Sequence, residues 1–361
     1  MKILHVTKKY PNALGGDAVV VSNLEKQQRL QGYEVSVLTS NCPDIIDAPH
    51  VHTFGLRDTP EQLDNITLKR LMSLVLLFLK SFIILRKIRP DIIHTHSIDM
   101  AFFVSFAARL YNIPLVHTFH IVTFNDPRHA GIRSKIELVF LRGAKPKQIF
   151  VLSPILIDDF KKVGFTNVKF VPNGINLEDW RGVRHSPKTF AFSAVGRLED
   201  QKGFDYLLDA AATLAAKGVD FQIKIAGEGA KREALEAKIS QLGLQEQVQL
   251  VGRLDHDALN KLYHESHAYV LSSLWEGMPL SLLEAWAAKT PTIATRVSGV
   301  PMIADKVSLL VESANVGELA DAMEAIITQP TLADKLSSAA YERVSREYQW
   351  QTIARNMYTG I

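Results

Sequence analysis

Two glutamates eight positions apart, Glu276 and Glu284, give the chain its sharpest chemical signal. They sit in the run LWEGMPLSLLEA (274–285), with Gly277, Met278 and Pro279 following the first of them. Proline suits the first turn of a helix, so a helix is expected to begin between Met278 and Leu280. The backbone from Gly277 to Ser281 would then gather N–H groups at a positive helix end, a ready anion site. Glu276 would lie in the loop before it and Glu284 about one turn in, facing the same mouth. Carboxylates placed there accept hydrogen bonds from hydroxyls. A phosphate flanked by two hydroxyl acceptors describes a nucleotide sugar. A capped helix carrying two solvated glutamates is the competing reading of these residues alone.

Arg197 and Lys202 add cations just after an apolar strand, in AFSAVGRLEDQKGFD (191–205). Arginine clamps phosphate oxygens with two N–H groups, and lysine adds a point charge. Taken alone, two solvated loop cations are the better account of them, since surface charges are the default. Gly15 and Gly16 precede an amphipathic helix, where glycine lets the backbone approach a ligand. The dinucleotide pattern GxGxxG is absent at that turn. Ala226-Gly227-Glu228-Gly229 reads as a structural turn. His94 and His96 share one strand face, but no third metal ligand is evident, so hydrogen bonding is the expected role. His117 falls among core-facing residues, and His120 at the ligand-facing end of its strand. Asp255-His256-Asp257 matches a DxD metal motif formally. Its place at a helix start makes an N-cap the better reading.

These residues need elements to hold them. Strand-like runs at 2–7, 34–39, 50–54, 91–95, 115–119, 147–152 and 168–171 alternate with helical ones at 18–30, 68–88 and 100–111. Residues 176–189 are polar and aperiodic, and read as a linker. The alternation then restarts, with strands at 190–195, 221–225, 247–251, 268–271, 292–294 and 308–311. Helices are expected at 204–217, 230–242, 257–265 and 280–288, with a helical end over 331–361. Repeated βα units imply parallel sheets covered by helices, hence two doubly wound α/β domains. The expected division is 1–180, 181–345 and a closing helix, 346–361, that packs back on the first domain.

Composition agrees with a globular two-domain chain: 361 residues, 47% hydrophobic and 22% charged. Lysine and arginine number 41 against 38 acidic residues, a net +3 that gives no case for nucleic acid. A single cysteine, Cys42, permits no internal disulfide and fits a reducing compartment, so a cytoplasmic setting is expected. The start does not read as a signal peptide, since Lys8, Lys9 and Pro11 interrupt a short apolar run. The stretch 71–88 is apolar, yet Lys80 sits inside it and Arg86, Lys87 and Arg89 close it. A docked helix therefore reads better than a spanning one.

Together these segments resemble the retaining glycosyltransferases of family 4, which have the GT-B fold of two facing Rossmann-like domains with a cleft between them. The resemblance runs through GGDAVVVSNLEKQQRLQGYEVSVLTS, DIIHTH, PLVHTFH, VPNGIN, VGRLEDQKGFDYLLDA, AGEGAKREAL, VGRLDHDALNKLY, the E-x7-E block and TPTIATRVSGVP. It implies that Glu284 binds the nucleotide ribose and that Glu276 contacts the transferred sugar. It implies that Arg197 and Lys202 neutralise the diphosphate, aided by the backbone after Glu276. Gly16 would lie in the loop that meets the phosphates, His120 beside the reacting sugar, and Gly252 and Arg253 at the base. His120, Glu276, Arg197 and Lys202 form the implied catalytic set. Asn176, Lys289 and Met302 depart from the family's usual Asp, Gly and Glu, which blurs the subfamily.

The resemblance further implies transfer of a hexose or N-acetylhexosamine from a UDP- or GDP-sugar to a hydroxyl acceptor, whether glycan, lipid-linked or small. No cofactor and no obligatory metal are expected, since Arg197, Lys202 and a helix end supply positive charge to the leaving group. Closure of the domains would exclude water. Peripheral contact with the inner membrane face is expected through Leu71–Arg89. Two alternatives are a nucleotide-sugar 2-epimerase of the same fold and a non-catalytic sugar-nucleotide-binding module.

Overall fold

The computed structural model describes residues 1–10, 16–41, 48–57, 67–120, 132–185 and 187–361; Pro11, Gly15 and Cys42 lie outside the described residues. The chain divides into two units, Met1–Asn173 with Trp350–Ile361, and Gly174–Gln349.

In the first unit the strands are β1 (Lys2–Thr7), β2 (Glu34–Ser40), β3 (Val51–Phe54), β4 (Ile92–Thr95), β5 (Leu115–Phe119), β6 (Gln148–Val151) and β7 (Val168–Phe170). Between them run α1 (Gly16–Leu30), α2 (Leu68–Ile88), α3 (Ile98–Leu110), α4 (Ile132–Ala144) and α5 (Ile155–Lys162). The order β3-β2-β1-β4-β5-β6-β7 is parallel throughout. From β3 onward, and between β1 and β2, helical crossovers return the chain to the same sheet end, which makes a parallel ladder the natural product. Helices on both faces bury β1 from Ile3 to Thr7 without alternation. Leu4, Val6 and Ile93 of the sheet pack with Leu74, Leu77 and Val104 of α2 and α3.

Helix α2 starts where Thr67 Oγ1 accepts a hydrogen bond from the Arg70 N–H at 3.1 Å. Its buried positions, Ser73, Leu74, Leu77, Ser81 and Leu85, recur at helical spacing. Core packing leaves Leu68, Leu71, Met72, Val75, Leu79 and Ile83 exposed. Among the described residues no helix is long and apolar enough to cross a membrane.

The second unit repeats the plan with β8 (Phe190–Val195), α6 (Phe204–Ala216), β9 (Phe221–Ala226), α7 (Arg232–Gln241), β10 (Val248–Gly252), α8 (His256–Glu265) and β11 (Ala268–Leu271). It continues through α9 (Leu280–Ala287), β12 (Thr292–Thr295), α10 (Val300–Ala304), β13 (Leu309–Val311), α11 (Val316–Thr328) and α12 (Pro330–Glu347). The parallel order is β10-β9-β8-β11-β12-β13. A core of Phe192, Leu207, Leu214, Ile225, Val270 and Met323 lies between this sheet and its helices. The last helix, α13 (Trp350–Asn356), belongs to the first unit and packs on α1.

Two expectations need correction. Residues 176–189 are not a free linker. Ile175 N–H donates to Tyr348 O at 2.7 Å, Trp180 is buried against Tyr263 and His256, and the Arg184 guanidinium reaches Ser266 O at 2.8 Å. Polar sequence concealed a single buried tryptophan that fastens the segment. Accordingly the chain changes unit between Asn173 and Gly174 and again between Gln349 and Trp350, not at 180 and 345. The helices α4, α5, α10 and α11 are additional to those expected.

In both sheets the strand order reverses beside the first strand, at β1/β4 and at β8/β11. Crevices beyond the carboxyl ends of parallel strands open at such reversals. The Ala226–Gly229 turn shows how closely the backbone is packed there. Gly227 has φ 147°, and a Cβ on it would stand 1.8 Å from Gly196 O. The turn is therefore structural, as its sequence suggested. Gly227→Ala is expected to destabilise the protein by at least about 1–3 kcal/mol, the cost of one strained backbone position. A urea midpoint equal to wild type would show that the two loops yield freely.

Candidate active site

At the β8/β11 reversal two loops meet. The loop after β8 carries Arg197 and Lys202; the loop after β11 carries Ser272, Ser273 and Glu276. Gly203 takes a left-handed conformation (φ 61°), and a Cβ there would come 2.2 Å from Ser272 O. Ser272 Oγ donates to Lys202 O at 2.9 Å, and Leu274 N–H donates to Gln201 O at 2.8 Å. These bonds set the two loops in fixed register.

Within that frame Lys202 Nζ donates to Glu276 Oε1 at 2.6 Å, with side-chain exposures of 16% and 7%. Ser273 Oγ donates to the same oxygen at 2.6 Å. Glu276 Oε2 makes no hydrogen bond among the described residues, so it is open to a hydroxyl. An ammonium has three N–H groups, so Lys202 keeps donors for an anion. Arg197 does not join this pair. It is half-exposed and meets Glu199 Oε1 at 3.0 Å.

Helix α9 begins at Leu280, with Pro279 at the N-cap position and not within the first turn as expected. Proline there fixes φ at −70° and extends the backbone (ψ 116°) before the helix. The amides of Gly277, Leu280 and Ser281 donate no hydrogen bond to any described residue, which leaves donors at the helix start. Glu284 lies one turn on and is partly exposed. Tyr263 Oη donates to Glu284 Oε2 at 2.9 Å, and Tyr269 Oη donates to Ser281 Oγ at 2.7 Å. Both tyrosines are fully buried beneath the first turn of α9. Desolvation pushes the Glu284 carboxyl up to about 7, against the Tyr263 hydrogen bond and the electrostatic influence of His256 and Lys202, which lower it.

Gly252 ends β10, where its carbonyl accepts from Gly227 N–H at 2.8 Å, and Arg253 beside it is exposed. Asp255 Oδ1 accepts from Ala258 N–H at 2.9 Å and so caps α8, while Asp257 is fully exposed. In the first unit Gly16 opens α1.

The β1/β4 reversal holds a set of histidines. His94 and His96 do share a face, and a third imidazole, His5, stands with them, contrary to expectation. The parallel register pairs His5 with His94 directly. Nitrogens of the three lie within 4.8 Å of one another, a spacing that would admit a metal ion. Every one of their ring nitrogens nevertheless has a hydrogen-bond partner. His5 reaches Gln28 (2.8 Å) and His96 (3.0 Å), His94 reaches Tyr358 (2.8 Å) and Thr118 (2.7 Å), and His96 reaches His120 (3.1 Å). Burial holds all three imidazoles well below their ordinary pKa, so they are neutral. His117 bonds Thr95 Oγ1 at 2.8 Å and is buried, and His120 is partly exposed at the end of β5.

Sequence reasoning missed Tyr263, Tyr269, Ser272 and Ser273. The two serines follow β11 directly, the same strand-end signal that had marked Arg197. The tyrosines gave no such signal, since each occupies an apolar position of its element.

Two family models match the chain: "Glycosyltransferase Family 4" over residues 14–179 and "Glycosyl transferases group 1" over residues 178–343. Glycogen synthase of Mycobacterium tuberculosis is 27% identical, covering 98% of this chain and 92% of its own. Among solved structures, sucrose-phosphate synthase from Thermosynechococcus elongatus superposes with TM-score 0.83 at 22% identity, covering 99% of this chain and 97% of its own. Anabaena HepE in complex with UDP-glucose gives TM-score 0.78 at 19% identity, with 99% and 98% covered.

The raised Glu284 carboxyl makes stability depend on pH. Between about pH 4.5 and 7 the unfolded chain releases this proton while the folded protein keeps it. Stability therefore falls as pH rises through that window, by about 3 kcal/mol for a shift of this size. Glu284→Gln removes the titration, so its stability relative to wild type should rise from pH 4.5 to 7.5 in urea melts. A pH-independent difference would show that Glu284 titrates as an ordinary carboxyl.

Proposed function

Because the chain belongs to the group 1 glycosyltransferases of the GT-B fold, we propose that it moves a hexose or N-acetylhexosamine, with retention, from a nucleoside-diphosphate sugar to a hydroxyl acceptor in glycan, polysaccharide or glycolipid synthesis. The observation that carries this reading is the juxtaposition at the second sheet's reversal. A largely buried lysine–glutamate pair stands beside a helix start whose Gly277, Leu280 and Ser281 amides have no partner among the described residues, and a second glutamate lies one turn along the same helix. The UDP-glucose held by HepE supports the donor class.

In this reading the diphosphate lies against Lys202 and the amides at the start of α9, and Arg197 turns from Glu199 to meet it. Glu284 accepts from the ribose hydroxyls, Tyr263 holding the orientation of its carboxylate. Glu276 offers Oε2 to a hydroxyl of the transferred sugar while Oε1 stays tied to Lys202 and Ser273. Gly252 and Arg253 are assigned to the base, Gly16 to the phosphate loop, and His120 to the reacting sugar, on family resemblance. Negative charge grows on the diphosphate as the glycosidic bond breaks; Lys202 and the α9 amides are already in place to stabilise it, and Arg197 joins them on binding. The chain's own cations thus do the work that a divalent ion does in DxD enzymes, while the DxD-like Asp255 is engaged in capping α8.

Transfer is therefore expected to persist in EDTA, and Arg197→Ala is the informative variant. Arg197 is half-exposed and pairs only with Glu199 among the described residues, so its loss should leave the melting temperature unchanged. Turnover should fall about 10- to 150-fold, the equivalent of one charge-assisted hydrogen bond. Loss of activity in EDTA with recovery on Mg²⁺ or Mn²⁺, or wild-type turnover of the variant, would overturn the charge assignment.

Acceptors of a glycolipid type would be met at a membrane, and α2 has the surface for it. Six large apolar residues face solvent along it, and Arg86, Lys87 and Arg89 follow at its end. An apolar face edged by cations suits an anionic bilayer. The protein should float with phosphatidylserine-containing liposomes and be released by salt. Val75→Glu with Ile83→Glu should abolish flotation; equal flotation with neutral lipid would refute this contact.

A further inference from the structure

The hydrogen bonds among the buried histidines have a direction, and the direction reaches His120. Gln28 lies on α1, fully buried, with its side-chain oxygen 2.8 Å from His5 Nε2 and its nitrogen 3.3 Å from Tyr358 Oη. A carboxamide oxygen only accepts, so His5 carries its hydrogen on Nε2. A neutral imidazole has one N–H, so His5 Nδ1 is bare and accepts from His96 Nε2 at 3.0 Å. His96 Nδ1 is bare in turn, and accepts from His120 Nε2 at 3.1 Å. Desolvation keeps each of these rings neutral, opposed at His120 only by Asp17 on α1. The other arm is set equally. Gln28 donates to Tyr358, whose hydroxyl donates to His94 Nδ1 at 2.8 Å, and His94 Nε2 donates to Thr118 Oγ1 at 2.7 Å.

We propose that this chain, Tyr358–Gln28–His5–His96–His120, fixes the tautomer of His120, so that its Nδ1 is held as a bare hydrogen-bond acceptor at the carboxyl edge of the first sheet. Tyr358 and Gln28 are then positioning residues. Neither approaches the reacting atoms through its own side chain; each acts through the histidines. Turning the Gln28 carboxamide over would reverse every bond and give His120 an Nδ1–H donor instead. As placed, the amide nitrogen donates to Tyr358 Oη at 3.3 Å and the Tyr358 hydroxyl proton goes to His94 Nδ1, so the carboxamide and the hydroxyl are coupled and neither reverses without the other. The functional meaning rests on the reading of His120 as a group at the reacting sugar, where an acceptor receives a hydroxyl proton and a donor does not.

The test is histidine ¹⁵N chemical shifts in the full chain at pH 7, with His120 assigned by its disappearance in His120→Ala. Wild type should show neutral Nε2–H forms for His5, His96 and His120 together. Tyr358→Phe should leave the fold intact but populate both tautomers of His120. Its turnover should drop about 2- to 12-fold, one neutral hydrogen bond, with the donor KM unchanged. An Nδ1–H His120 in wild type overturns the relay. So does a His120 signal unmoved by Tyr358→Phe, or nitrogen shifts at His5 and His96 that mark a bound metal. The wild-type spectrum decides even if the variant fails to fold. His120→Ala with undiminished turnover overturns the functional reading separately, because it leaves the tautomer evidence as it stands.

Discussion

The bond between Lys202 and Glu276 is the point on which the second unit turns. Two charges at 16% and 7% exposure have given up most of their hydration, and a pair so placed is a weak source of stability. An apolar pair would hold the same loops at least as well. Its value is in readiness: the ammonium is fixed and partly stripped of water before any anion arrives, so little remains to be reorganised. Much else nearby serves that pair. Gly203 lets the lysine loop lie against the end of β11, Ser272 fastens it, and Ser273 shares the carboxylate.

The first unit meets the same problem of buried polar groups with the opposite chemistry. Around β1 and β4 the polar side chains are neutral, and their satisfaction depends on each proton having one place to be. A network of that kind is stable only when complete, since a single missing partner leaves a buried donor or acceptor unpaired. Charge is kept further out, where Asp99 binds Arg70 at 2.7 Å and Lys8 at 3.8 Å and its carboxyl is held far below the usual range. Burial opposes that shift, and the two cations with the Ser97 hydroxyl outweigh it.

Much of this was legible in the sequence because parallel sheets leave a plain record. Strands buried on both faces must be apolar runs, and β1, β5, β8 and β11 begin and end where their runs do. The glutamate pair was legible for a related reason, since E-x7-E, Gly277 and Pro279 are all local. What escaped was non-local. His5 is 89 residues from His94, and only strand register reveals that they are neighbours. Tyr263 and Tyr269 look like core residues and are core residues; that their hydroxyls serve Ser281 and Glu284 depends on how α8, β11 and α9 meet. Residues 176–189 misled in the other direction, because one Trp180 outweighs nine polar neighbours once it is buried.

Tyr358 belongs to a segment that joins the first unit only after the whole of the second has intervened in the chain. A ribosome therefore emits the first sheet complete, yet without α13 on α1 and without the hydroxyl that His94 and Gln28 share. Domains usually fold as units in the order of their synthesis. Here the earlier unit must wait, its polar interior unfinished, while the later one is made. For this protein the unit whose synthesis begins first is also the one whose last side chains are made last.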